Sequence, residues 1–271
     1  MKRFLLLYTL IVTALCSCIK EDRSKCPCNL YVDLSRVDTN YITKVDLMTS
    51  GSAGAPQWTA VERNAIGDTV ILKVAKDEID FCAWGNIRGS AVLNDSRTIV
   101  SSGQPDSLWS CYRRLSARCE DMYVTVEPQR QYIPVTIIVR GMLQNISDVQ
   151  PVITSVSQGF DFNSAATGDK GTIFPAEVRS PQTAAGYYQF NALMLTQQSA
   201  TEASLELDFK SDGRPVKVNY PLGEELYKIG ENISLSGQKP VVVDLVIGGG
   251  TVFFTISVSD WEQHATIDII Y

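Results

Sequence analysis

Leu205-Glu206-Leu207-Asp208-Phe209 alternates apolar and acidic side chains without a break. Successive side chains of an extended chain point to opposite faces, so this stretch reads as a strand buried on one side and wet on the other. The same two-residue period runs through Leu30/Val32/Leu34, Val70/Leu72/Val74 and Val135/Ile137/Val139. It recurs around Ile79, Phe81 and Ala83, and residues 123–126 form a short β-rich stretch. In the second half it marks 151–156, 187–195, 216–220, 241–247, 252–258 and 265–271. Clusters of Gly, Pro, Ser, Asn and Asp separate these runs at 51–56, 64–68, 101–106, 163–171 and 211–214. Gly248-Gly249-Gly250 lies between two β runs and is not followed by Lys-Ser/Thr, which predicts a hairpin rather than a phosphate loop.

Helical signals are sparse. The strongest spans 105–120, where Leu108, Cys111, Tyr112, Leu115 and Cys119 follow helical spacing behind Asp106 as a cap. As a helix this segment would hold Cys111 and Cys119 about 12 Å apart, too far to bridge; as two short strands it would let them meet. A second short turn is expected over 223–227. The fold class expected is therefore all-β, built as sandwiches, since no fixed-period repeat indicates a propeller. Glu127-Pro128-Gln129-Arg130 is a polar break near the middle of the chain, which predicts an N-terminal sandwich over 26–128 and a C-terminal one over 129–271.

The N-terminus reads differently. Lys2 and Arg3 precede an apolar run over 4–15, too short to span a bilayer and suited to a secretory signal. Leu15-Cys16-Ser17-Cys18 resembles a bacterial lipobox, so 1–17 is expected to be a lipoprotein signal peptide and Cys18 the acylated first mature residue. Residues 18–25 then form a lipidated tether. Within it, Lys20-Glu21-Asp22 resembles the surface-export signal of Bacteroidetes lipoproteins. Each buried CH₂ of an acyl chain contributes ~0.8 kcal/mol, so several chains would hold the protein firmly on a membrane.

Composition narrows the function. The chain has 271 residues, 45% of them hydrophobic, with a net charge of −6. Without residues 1–17 it retains 22 basic against 30 acidic side chains, a net charge of −8. An acidic chain without basic runs is unsuited to nucleic acid or to anionic headgroups, so membrane attachment rests on the lipid. The only His, His264, excludes a His-rich metal site, and no G-x-S-x-G elbow accompanies it. No catalytic constellation, metal or cofactor is expected. The most site-like carboxylates, Asp260 beside Trp261 and Asp161 between Phe160 and Phe162, read as loop carboxylates beside core aromatics. Trp58, Trp84, Trp109 and Trp261 are scattered, as packing residues would be. Besides Cys16 and Cys18, five cysteines remain: Cys26, Cys28, Cys82, Cys111 and Cys119. An exported location permits pairing, and an odd number leaves at least one thiol over.

Several segments, in order, resemble the fimbrial anchor lipoproteins of Bacteroidetes, the anchor subunits associated with minor fimbriae. Cys26-Pro27-Cys28-Asn29-Leu30-Tyr31-Val32-Asp33-Leu34 is similar to their Cys-Pro segment leading into a first strand. Ile79-Asp80-Phe81-Cys82-Ala83-Trp84-Gly85-Asn86 resembles their strand ending in Ala-Trp-Gly-Asn, although Asp77-Glu78 replaces the usual preceding Gly. The 132–141 run resembles the opening strand of their second domain. Phe190-Asn191-Ala192-Leu193-Met194-Leu195 and Val258-Ser259-Asp260-Trp261 resemble two later strands.

The resemblance implies two tandem transthyretin-like β-sandwich domains and no catalysis. It implies an outer-membrane lipoprotein that anchors a fimbrium to the cell surface and ends or limits its assembly. The expected partner is a fimbrial stalk subunit of the fimbrillin type, joined by strand addition. The expected contact strand is Thr266, Ile267, Asp268, Ile269, Ile270 and Tyr271, with pairing inside its own domain as the competing reading. The alternative function is a surface glycan- or peptide-binding lipoprotein of a nutrient-uptake system.

Overall fold

Period-two alternation becomes strand almost wherever it occurs. The computed structural model describes residues 26–51, 56–88, 91–93, 99–101, 106–141, 146–161, 170–179, 186–195, 202–230, 240–248, 250–258 and 261–268. The first half holds β1 (Cys28–Asp33), β2 (Lys44–Gly51), β3 (Gln57–Glu62), β4 (Thr69–Val74) and β5 (Glu78–Gly85). It continues with β6 (Ala91–Leu93), β7 (Ile99–Ser101), β8 (Trp109–Ser116), β9 (Asp121–Thr125) and β10 (Gln129–Arg130). The second half holds β11 (Tyr132–Gly141), β12 (Ile146–Ser157), β13 (Gly159–Phe160), β14 (Lys170–Ile173) and β15 (Ala176–Arg179). Then come β16 (Tyr187–Leu195), β17 (Ser204–Ser211), β18 (Arg214–Tyr220), helix α1 (Leu222–Gly230), β19 (Val241–Gly248), β20 (Thr251–Val258) and β21 (Trp261–Asp268).

Two hydrophobic cores organise these strands. Sheets β4-β1-β9 and β10-β8-β5-β2-β3 enclose the first, through Leu30, Val32, Leu47, Phe81, Cys111 and Val124. Sheets β15-β16-β11-β19-β20-β21 and β14-β12-β17-β18 enclose the second, through Ile137, Ile153, Phe190, Leu207, Val243 and Phe254. Each core repeats one arrangement. Strand β1 lies between antiparallel β4 and parallel β9, and β11 lies between antiparallel β16 and parallel β19.

The tight turns carry the expected chemistry. Asp212 and Gly213 both take left-handed φ values, +50° and +76°, in the two-residue β17–β18 connection, as a primed hairpin turn requires. At the β19–β20 hairpin Gly250 takes φ +83°, and the Thr251 hydroxyl donates to the Gly248 carbonyl at 2.8 Å. In α1, over the expected second turn, Glu224 and Glu225 occupy the first turn and Lys228 the last, each charge opposing the nearer end of the helix dipole.

The helix expected over 105–120 does not form. Its centre is β8, paired along its whole length with β5 from Gly85 opposite Trp109 to Glu78 opposite Ser116. Helical spacing put Cys111 and Tyr112 on one face. In the strand they part: Cys111 enters the first core, while the Tyr112 hydroxyl donates to Asp80 at 2.8 Å. Asp106 does not cap a helix; its carboxylate accepts from the Arg88 backbone N–H at 2.9 Å. Tertiary pairing overrides a weak local period here.

Candidate assembly interface

Three places organise the contacts of the chain: the N-terminal strand, the meeting of the two cores, and the sheet edges left open among the described residues. Strand β1 is the middle strand of its sheet, and Cys28, Leu30 and Val32 are wholly buried. On the outer face Tyr31 stacks on Tyr123 with ring centroids 4.8 Å apart. At its end the Asp33 carboxyl is held below its ordinary range by hydrogen bonds from Ser35, whose N–H lies 2.9 Å away, with help from Thr125. Arg36 pairs with Glu127, closing the same corner.

The Ala83-Trp84-Gly85-Asn86 segment builds the junction between the cores. Strand β5 is buried on both faces: Ile79, Phe81 and Ala83 face the first core, while Cys82 and Trp84 face the other way. There they meet Met48, Leu108, Phe160 and Leu195, the last two supplied by the second half of the chain. Trp84 and Phe160 lie 5.6 Å apart. Strand β13 also pairs with β7, with Gly159 opposite Val100. Arg130 in β10 extends the first sheet beside β8, and its guanidinium lies 5.2 Å from the Tyr132 ring at the head of β11.

Asn86 fixes this end of β5. Its backbone adopts φ +62° and it is 1% exposed. Its side-chain oxygen accepts from the Thr43 N–H at 3.0 Å, and its amide donates to the Tyr41 and Ser107 carbonyls at 2.8 and 3.2 Å. Gly85 packs tightly next to it: a Cβ there would lie 3.0 Å from the Ile42 side chain and 3.1 Å from that of Trp109, so both would have to shift by a few tenths of an ångström. Neither role was read from the sequence. The detectable signal was the unbroken apolar run Phe81–Trp84, which marks a strand covered on both faces.

Two open features lie on the second unit. Strand β21 is an edge strand, paired with β20 from Val258 opposite Trp261 to Thr251 opposite Asp268, and among the described residues no strand lies on its other side. A cleft of about 460 Å³ opens between β12 and β15–β16, lined by Asp148, Pro151, Phe174, Glu177 and Tyr188. Phe174 is 67% exposed, and burial is the main cause that raises the Tyr188 hydroxyl pKa.

Of the residues singled out from sequence, Cys18, Lys20, Glu21 and Asp22 lie outside the described residues. Thr266, Ile267 and Asp268 lie in β21, opposite Phe253, Val252 and Thr251, whereas Ile269, Ile270 and Tyr271 lie outside. Trp84 is buried in the junction, Trp58 packs half-buried against the same cluster, and Trp109 packs half-buried against the first core. Phe160 belongs to the junction; Phe162 and Asp260 lie outside the described residues.

The family model of the fimbrillin-A associated anchor proteins Mfa1 and Mfa2 matches residues 25–264. Among solved structures, the fimbrial anchor protein Mfa2 from Porphyromonas gingivalis is similar at TM-score 0.67 and 14% identity, over 89% of this chain and all of that one. A Bacteroides thetaiotaomicron protein, described as a candidate polysaccharide-binding protein, is similar at TM-score 0.63 and 14% identity, over 89% of this chain and 98% of that one. A fimbrial assembly protein from Parabacteroides distasonis is similar at TM-score 0.50 and 9% identity, over 90% of this chain and 99% of that one. No curated protein matches the sequence. At such identities the structural likeness establishes the fold alone. The family match spans most of the chain, and by it the chain belongs to the fimbrillin-A associated anchor proteins.

Proposed function

We propose that this chain is an outer-membrane lipoprotein that holds a fimbrium of fimbrillin-type subunits on the cell surface and ends the polymer at its base. One observation carries the reading: Cys28–Asp33 is built into the middle of its own sheet, only ten residues after Cys18. Strand-addition polymers grow when one subunit's missing strand is replaced by its neighbour's. A subunit tethered through Cys18 cannot lose β1 without losing its tether. Its first sandwich therefore stays self-complemented, and it closes the chain of subunits instead of extending it. In this reading Lys20-Glu21-Asp22 directs the protein to the outer leaflet, the stalk subunit adds a strand along residues 266–271, and the chain performs no catalysis.

Cys18→Ala in the native cell tests this. Fimbriae should be shed into the medium. Fimbriae that stay cell-bound at normal length would overturn the proposal. Replacing Lys20, Glu21 and Asp22 with Ala should leave the lipoprotein in the membrane but hidden from protease added to whole cells.

A further inference from the structure

We infer that Cys28 and Cys119 form a disulfide that staples the first strand to the turn between β8 and β9. The backbone brings them together. Strand β1 runs parallel to β9 with Asn29 opposite Asp121, and the Asn29 N–H donates to the Glu120 carbonyl at 2.7 Å. The Asn29 side chain repeats the link, donating to the Asp121 carboxylate at 2.9 Å. These bonds set Cys28 beside the 119–121 turn, where the Cys119 thiol donates to the Asp121 carbonyl at 3.1 Å; burial first, and then the nearness of Cys119, push the Cys28 thiol pKa up. Neighbouring strands lie about 4.8 Å apart, so a cysteine of β1 and one of the adjoining turn can come within the Cα spacing that a disulfide spans.

The other cysteines are placed elsewhere. Cys111 lies opposite Ala83, and Cys82 lies opposite Tyr112, so the two side chains leave opposite faces of one sheet. Cys111 packs in the first core, which Cys28 also lines, and Cys82 in the junction. Cys26 is exposed, two residues before Cys28, and is the only rival for Cys119 among the described residues.

Exposure assigns the order of the chemistry. Cys119 is exposed and Cys28 is buried. The oxidant required is an exported protein disulfide. The Cys119 thiolate attacks it, forming a mixed disulfide and expelling one thiolate of the oxidant. Cys28 then loses its proton and attacks the Cys119 sulfur, expelling the second thiolate. Two thiols are oxidised to one disulfide, and the oxidant ends as a dithiol. The bond follows from geometry and an oxidising location. Its mechanical value rests on the anchor reading: a pull through the tether would load β1 and the 119–121 turn together, rather than peel β1 from its end.

The test uses the full chain isolated from outer membranes of cells that express it, alkylated before lysis and digested with trypsin without reductant. The expected product joins peptide 26–36 to peptide 119–130, lighter by two hydrogens than the separate thiol peptides. Fragmentation at the Cys26–Pro27 bond shows which cysteine carries the link. Cys26→Ser should retain the link, Cys119→Ser should abolish it, and reductant should lower the Tm of the wild-type chain by about 5 °C or more. Unlinked peptides, or a link on Cys26, would overturn the inference. The anchor reading fails separately: a linked chain whose Cys18→Ala variant keeps fimbriae on the cell leaves the disulfide standing.

Discussion

Asn86 holds three backbone groups of two loops with one buried side chain while sitting at a φ that most residues avoid. Asn tolerates that conformation better than Ala does, and each buried polar group left unpaired costs about 1–3 kcal/mol. Asn86→Ala should therefore destabilise the chain by about 2–4 kcal/mol in urea unfolding, and a loss below about 1 kcal/mol would show that water replaces the bonds. Asp46 tests electrostatics in the same sheet. Burial raises its carboxyl pKa, and the Lys44 ammonium 3.0 Å away only partly offsets this. One of its oxygens, Oδ2, has no hydrogen-bond partner. A carboxyl with a raised folded-state pKa favours the folded state when protonated, and that contribution is lost as pH rises through the folded value. Asp46→Asn should therefore be more stable than wild type at pH 7. The gain should shrink as pH falls to the ordinary carboxylate range, and a gain independent of pH would mean that burial is not its cause.

At the scale of single elements, legibility followed the number of wet faces. Strands β17 and β18, with one buried face each, match the alternation at 205–209 and 216–220 almost residue for residue. Strand β2 alternates only over Lys44–Leu47 and is covered on both faces from Leu47 to Ser50, so its period-two signal is too short to mark it. The segment around β8 carries a helical stripe in Leu108, Cys111 and Leu115, and pairing with β5 on one side and β10 on the other overrides it. Strand β21 belongs to a third kind, legible as a strand but not as to its partner. Its pairing with β20 leaves its outer edge free for a second chain among the described residues. Under the proposed contact along 266–271, deleting 265–271 should abolish binding to a fimbrillin-type stalk subunit while far-ultraviolet circular dichroism stays β-rich. If that deletion unfolds the chain, removing 269–271 alone is the fallback. Full stalk binding by a folded 265–271 deletion would exclude the C-terminal strand as the contact, and full binding by a folded 269–271 deletion would exclude its last three residues.

The whole molecule joins two cores of repeated strand order through a small third cluster. Nothing in the sequence announced that cluster, because Phe160 and Leu195 are remote from Trp84 and only the fold shows that their faces meet. The junction is more than a linker. Backbone pairing between β13 and β7, aromatic contact between Trp84 and Phe160, and the continuation of β10 into β11 all cross it. In the proposed role at the base of a fimbrium, load would pass through this connection, and a loose linker would let the first unit be pulled without support from the second. Phe160 is 1% exposed, and truncating a buried Phe to Ala typically costs about 3–5 kcal/mol through lost transfer energy and the cavity left behind. Because its contacts lie between the cores, that loss should fall on their coupling. Calorimetry should show one transition for the wild-type chain and two for Phe160→Ala, with the second core keeping nearly its original Tm. A single transition shifted as a whole would mean that β13–β7 pairing and the β10–β11 continuation suffice to hold the two units as one cooperative body.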